Sequence, residues 1–308
     1  MRLPAVVGVA AGLATRHWWY GLTAEAKGRY ADAVWSNRLF IALAVAAGLG
    51  LFAAFLWKHT ELDPRTGGRR LFLFSDRALE RQADRRMQET LDSTRPVRLD
   101  AAHPVHGRVA GATSRMLAAN AGVDAIRRRR WTVAVVDSPA VNAAVAPGGL
   151  VLVNTGLTSA ANDDQLSIVV GHEMAHCLLR HVNQISSIAF VLDTLCLVPV
   201  SAVIWAALPF CWNLLAHLWS VAVLNVCVVL PCARWYEAEA DRAGLELAAR
   251  ACVDVTQGYR FWDAMSETEG PGYKLFWWLS VHPTNESRSR HLYGLIPAAT
   301  ELRRLASC

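Results

Sequence analysis

Charge is scarce in this 308-residue chain: Asp, Glu, Lys and Arg make up 19% of it, against 53% hydrophobic residues. Two strongly apolar stretches lack all four. Leu39–Trp57 is uncharged for nineteen residues between Arg38 and Lys58, and Thr194–Cys232 is uncharged on both sides of Pro209. Such runs suit a bilayer more than a soluble core, so the composition leans towards a membrane protein. Acids are also missing from residues 1–24, which carry Arg2 and Arg16. Cysteine occurs seven times, without the paired spacing of a Cys-based metal site or a disulfide scaffold. Cys196, Cys211, Cys227 and Cys232 lie in apolar sequence, where Cys behaves as a small hydrophobe, and no disulfide framework is expected. The net charge of +5 is uneven, with sixteen Lys/Arg against nine Asp/Glu between Lys58 and Arg130. That region suits an anionic lipid surface. Nucleic acid is not an expected partner, because no aromatic–basic interleaving or reader motif accompanies the charge. Arg127-Arg128-Arg129-Arg130 reads equally as a lipid-facing patch or a solvated loop.

Residues 1–38 form a tail with the basic bias of a mitochondrial transit segment, although Ala5–Ala14 reads as well as a short secretory signal core. Leu39–Trp57 is long enough to cross a bilayer, and Trp57 suits one interface. Residues 58–308 remain for a folded domain. Thr60–Phe74 reads as a polar connector, and Ser75–Leu91 and Pro104–Ala121 as helices. Trp131–Asp137 and Leu150–Asn154 read as strands, with a turn at Pro147-Gly148-Gly149. Ser266–Gly272 reads as a loop, Phe276–Val281 as an apolar lead-in, and Thr284 as the start of a last helix. The apolar insert at about 185–232 divides at Pro209 into halves short of the ~20 residues of a span. A hairpin dipping into the membrane or lying on it fits this better than two full spans; a buried core hairpin is the alternative.

Against this background stands Gly171-His172-Glu173-Met174-Ala175-His176. On a helix, positions four apart lie on one face, so His172 and His176 can grip one ion while Glu173 reaches a water bound to it. With ten His and twelve Glu in the chain, chance supplies about 0.01 H-E-x-x-H matches. The flanks support a helix: Asn162 with Gln165 makes a capping box, and Asp163 and Asp164 suit its first turn. A catalytic zinc site needs a third protein ligand and one open position. Glu237 and Asp241, four apart on a second predicted helix, supply the candidate ligand and a carboxylate able to accept the free ring N–H of a ligand His. Glu239 reads as an exposed partner of Arg242. Any membrane crossings between the two motifs must be even in number, because both halves face one zinc.

The set resembles the Oma-type metalloendopeptidases of the mitochondrial inner membrane, grouped with the CAAX prenyl protease and the bacterial heat-shock membrane peptidases. The likeness runs from about Thr66 to Leu292. Its pieces are Thr66-Gly67-Gly68-Arg69-Arg70, Asn142 with Pro147-Gly148-Gly149, Thr155-Gly156-Leu157, Gly171–His181, Leu230–Asp241, and His282-Pro283 followed by Arg288. Ala233 departs from the usual Ser, and the apolar insert is long. The resemblance implies an α+β, mostly helical gluzincin fold with a small sheet and one Zn²⁺ on His172, His176 and Glu237. It implies Glu173 as general base and His282 near the site. His282 or Arg288 could then steady the oxyanion, with Asp241 and Arg288 packed behind the ligands. Implied partners are membrane-protein substrates and the bilayer, the implied location is the mitochondrial inner membrane or another cellular membrane, and a homo-oligomer is compatible. The rival from another class is a non-catalytic membrane chaperone or scaffold with a structural zinc. Prenyl-protease activity would need several more spans than this sequence offers.

Overall fold

The computed structural model describes residues 3–63, 65–268, 270, 279–280 and 282–308. The chain divides into two compact units, Met1–Phe74 with Asn183–Val229, and Ser75–Val182 with Leu230–Cys308. Among the described residues the fold is mostly helical with two small sheets.

In the first unit the tail is helical: α1 covers Leu3–Tyr20 and α2 covers Ala24–Ser36, the latter capped by Thr23. The uncharged run becomes α3, Arg38–Lys58, with no buried residue on any face. The segment expected as a connector is instead a hairpin of β1 (Thr60–Leu62) and β2 (Arg69–Leu71). Its reason is local. The buried Asp63 carboxylate accepts from Arg65 N, Thr66 Oγ1 and Arg70, and Gly67 turns the chain at φ 69°. Burial raises the Asp63 pKa, but these donors outweigh it and hold the carboxyl below its usual range.

The second unit begins with α4 (Asp76–Ser93), α5 (Pro104–Ala119) and the short α6 (Asp124–Arg127). A three-stranded sheet follows, of β3 (Thr132–Val136), β4 (Ala143–Val145) and β5 (Leu150–Asn154). β5 lies in the middle, parallel to β3 and antiparallel to β4. The expected strands are β3 and β5; β4 escaped because three residues, two of them Ala, carry little strand signal. After α7 (Thr155–Ala160) comes α8, Asp163–Leu178, opened by the expected Asn162–Gln165 capping box. Met116, Val135, Val151, Leu166, Met174 and Leu245 centre the core around it. The Arg run splits in role: Arg127 and Arg128 are exposed beside Asp124, whereas Arg129 braces Pro147 O, Ala125 O and Glu80.

α9 (His181–Leu192) starts in the second unit and passes into the first at Asn183, where one π turn (Asp193–Leu197) and α10 (Val198–Ala207) lead to Pro209, beyond which lies α11 (Phe210–Leu224). Pro209 lacks the N–H that would continue the helix. α1 lies against α10 with Gly8 and Gly12 at the contact, where a Cβ would come within 2.6 Å of Val198 O and 2.5 Å of Ala202 O. Among the described residues, three helices suit a bilayer crossing by length and composition: Arg38–Lys58, His181–Ala207 and Phe210–Arg250. The halves of the insert were expected to fall short of a span, but their helices continue past the uncharged run on both sides.

α12 (Leu230–Arg250), α13 (Thr256–Glu267) and α14 (Asn285–Leu305) complete the second unit, and Thr284 Oγ1 caps α14 by accepting from Ser287 N at 3.2 Å. The expectation of no disulfide is corrected: Cys252 and Cys308, 56 residues apart, are joined. Spacing alone cannot reveal a pair so distant in sequence. Of the expected loop at Ser266–Gly272 and lead-in at Phe276–Val281, residues 269, 271–278 and 281 lie outside the described residues.

Candidate metal centre

The site rests on a close crossing of two helices. Gly171 of α8 meets Gly244 of α12 so tightly that a Cβ on Gly244 would sit 2.6 Å from His172 N and 2.7 Å from His172 Cα. Only residues without a Cβ allow that approach. Glu237, Asp241 and Gly244 share one face of α12. The crossing therefore brings Glu237 and Asp241 beside His172, the residue after Gly171. Small residues flank the contact, with Ala175 against Ala240 and Ala243.

Three ligand groups converge, with both Glu237 oxygens turned to the imidazoles. His172 Nε2 lies 3.2 Å from His176 Nε2 and 3.5 Å from Glu237 Oε2, and His176 Nε2 lies 3.4 Å from Glu237 Oε1. Zinc holds N and O ligands at about 2.0–2.1 Å in a tetrahedron, which sets neighbouring ligand atoms about 3.3 Å apart. The triangle fits that figure, and two imidazoles with one carboxylate fit the ion's chemistry. Glu237 Oε2 adds a second sign. It is buried without a well-directed hydrogen bond, although His282 Nδ1 comes within 3.1 Å. A buried lone pair left this way is costly unless a cation takes it. Burial raises the Glu237 pKa, yet the imidazoles of His172, His176 and His282 hold its carboxyl far below the usual range.

Behind the triangle, Asp241 Oδ1 is 2.9 Å from His172 Nδ1. Arg288, from α14, donates through Nε to Asp241 Oδ2 at 3.1 Å and through Nη2 to Asp241 Oδ1, and its guanidinium lies 3.7 Å over the Trp262 ring. Asp241 is depressed well below the carboxylate range: burial raises it, but Arg288 and His172 lower it further. Burial and Arg288 both lower the His172 pKa, but Asp241 and Glu237 win and raise it to about 9. The metal-free site is therefore protonated at neutral pH, and a metal must displace that proton.

Glu173 and His172 line a cavity of about 450 Å³ that also presents Asn142, Trp262, Met265 and His282. Val141, Asn142 and Ala143 bring the start of edge strand β4 to this wall. The structure thus gathers His172, Glu173, His176, Glu237, Asp241, His282 and Arg288 in one place. Arg288 is 5% exposed and committed to Asp241, while His282 is open to solvent.

Two residues of this neighbourhood were not legible. Glu239, expected as an exposed partner of Arg242, is turned inward with a side chain 11% exposed, and it meets His181. His181 itself went unassigned, although a third His within ten residues of His172 was a visible signal.

Comparisons with known proteins agree with this geometry. The profile of peptidase family M48 matches residues 106–296. The chain is 32% identical over 307 residues to metalloendopeptidase OMA1, mitochondrial, of Bos taurus, covering 98% of this chain and 58% of that protein. It is 35% identical over 317 residues to the Danio rerio protein of that name, covering 99% and 65%. To mitochondrial metalloendopeptidase OMA1 of Schizosaccharomyces pombe it is 31% identical over 269 residues, covering 86% and 74%. The chain thus spans 58% to 65% of the two animal relatives.

Proposed function

The chain belongs to peptidase family M48, and from that premise we propose that it is a membrane-anchored zinc endopeptidase. Its substrates are proteins of the mitochondrial inner membrane, cleaved in quality control or under stress. The observation that carries the reading is the His172–His176–Glu237 triangle at zinc-ligand spacing, with Glu173 beside it on the wall of an open cavity. The printed names of the relatives support the activity and the compartment. The apolar helices support the membrane: Leu39–Trp57 within α3 crosses it, and residues 58–308 form the peptidase domain with the apolar insert at about 185–232. His181–Ala207 and the part of Phe210–Arg250 that precedes Glu237 would together make two crossings, an even number that leaves both motifs on one side.

Zinc bound at the triangle would polarise the scissile carbonyl and bring the pKa of a bound water towards 7. Glu173 takes the proton of the attacking water and returns it to the leaving amine. Asp241 holds the His172 ring with Nε2 facing the ion, and Arg288 fixes Asp241 in turn. The outer edge of β4 pairs with extended substrate, so that backbone hydrogen bonds position the peptide. His282, on the cavity wall, donates to the developing oxyanion. Arg288 is spent on Asp241 and acts from behind the ligands rather than on the oxyanion.

The test uses the full chain in detergent: zinc per chain, cleavage of internally quenched peptides, and recovery after chelation. One zinc, internal cleavage, loss with chelator and return with added zinc are expected. A stoichiometric zinc with no hydrolysis of any peptide or membrane-protein substrate would favour the scaffold reading instead.

A further inference from the structure

His172 has a carboxylate, Asp241, against its Nδ1; at His176 Nδ1 stands the ring of His181. We infer that His181 and Glu239 supply one at a remove, as a hydrogen-bonded chain that positions His176. The inference rests on the zinc reading of the triangle. His181 Nδ1 is 3.0 Å from His176 Nδ1, and His181 Nε2 is 3.1 Å from Glu239 Oε2. His181 is 1% exposed. The proton assignment follows from the ends. His176 offers Nε2 to the metal, so its proton sits on Nδ1 and is donated to His181 Nδ1. His181 then carries its own proton on Nε2 and donates it to Glu239, which as a carboxylate only accepts. Both bonds of the chain then run in one direction, from His176 to His181 to Glu239. His181 is not a fourth ligand, because its nearest nitrogen faces the side of His176 away from the triangle.

The backbone supports the arrangement. Arg180 adopts a left-handed φ of 60° between α8 and α9, a conformation unfavourable for a non-glycine residue. Arg180 is held there by a two-point ion pair with Asp76, through Nε at 3.0 Å and Nη2 at 2.8 Å. The turn folds His181 back beneath His176 instead of letting it continue along the helix. Tyr236 packs against the outer side of the His181 ring, 4.8 Å between centroids.

A purely space-filling role for His181 predicts the opposite mutational pattern, so the test compares shape with hydrogen bonding. His181→Phe keeps a ring against Tyr236 but removes both nitrogens. His181→Gln loses the ring, yet its amide can accept from His176 and donate to Glu239. The measurement is zinc affinity of the full chain in detergent, by competition with a chelator of known affinity. His181→Phe and Glu239→Leu should bind zinc about 10–100-fold more weakly than the parent, and His181→Gln should recover most of that loss. Parent-like affinity in His181→Phe, or equal weakness in His181→Phe and His181→Gln, overturns the inference. Glu239→Leu leaves His181 in place, so the chain remains testable if His181→Phe does not fold. Unchanged affinity in Glu239→Leu counts against it. Either negative result leaves the endopeptidase reading intact, whereas a parent chain that binds no zinc sinks both.

Discussion

Replacing Gly244 by Ala tests whether the α8–α12 crossing builds the site. In an open helix this change favours folding by about 0.5–1 kcal/mol, because Ala loses less backbone entropy than Gly. Here the added Cβ would lie 2.6 Å from His172 N, 2.7 Å from His172 Cα and 2.8 Å from Gly171 C. All three are backbone atoms, so no side chain can move aside. Ordinary contact begins at 3.4 Å, which leaves the helices about 0.8 Å too close. Overpacking of this kind costs about 1–3 kcal/mol. The larger effect should fall on the metal, since a zinc site tolerates ligand displacements of about 0.2 Å. Zinc affinity should drop by about 10-fold or more, the scale of losing a group that holds a ligand. Gly111 on α5, with nothing within 4 Å of a built Cβ, is the control. Gly111→Ala should bind zinc like the parent and melt no lower. The assays are chelator competition and thermal unfolding of the metal-free chain. If Gly244→Ala behaves like Gly111→Ala in both, the helices do not meet as described.

Glu237→Ala should abolish stoichiometric zinc binding, whereas Asp241→Ala should weaken it about 10–100-fold, as loss of a partner rather than of a ligand; a chelator titration that finds Glu237→Ala equal to the parent would place the third ligand elsewhere. Zinc affinity should also rise about 10-fold per pH unit from neutral pH and level off near pH 9, because the His172 pKa is raised to about 9 and its proton must leave. In the metal-free protein the same raised pKa has a second consequence. The stabilisation from protonated His172 is fully present below about 6.5 and lost as pH rises through about 9. A zinc affinity flat across this window in chelator competition would contradict the protonated site.

The metal triangle was legible because helical periodicity alone places His172 over His176 and Glu237 over Asp241, and because Asn162 and Gln165 announce where α8 begins. The Glu239 side of the site was not, for a related reason. Positions 237 and 239 point to different faces of α12, so helix arithmetic sent Glu239 to solvent. What meets it there is His181, delivered by the left-handed Arg180, and no periodicity encodes a single reversed φ. β4 was hidden by its length, and the β1–β2 hairpin by a turn built on Asp63 with Arg70, a contact between side chains seven residues apart. The span-length helices were underestimated because the uncharged run was taken as their limit. The helix His181–Ala207 takes in Asn183, Gln184 and Asp193, all buried, so its length exceeds that of the uncharged run.

The central claim is that Glu173 is a base on a zinc site rather than part of a structural one. Zinc content and peptide hydrolysis measured together on the parent and on Glu173→Gln test it most directly. One zinc per chain is expected in both proteins and hydrolysis only in the parent, since Glu173 stands outside the ligand triangle while facing the cavity. Undiminished hydrolysis by Glu173→Gln would contradict it.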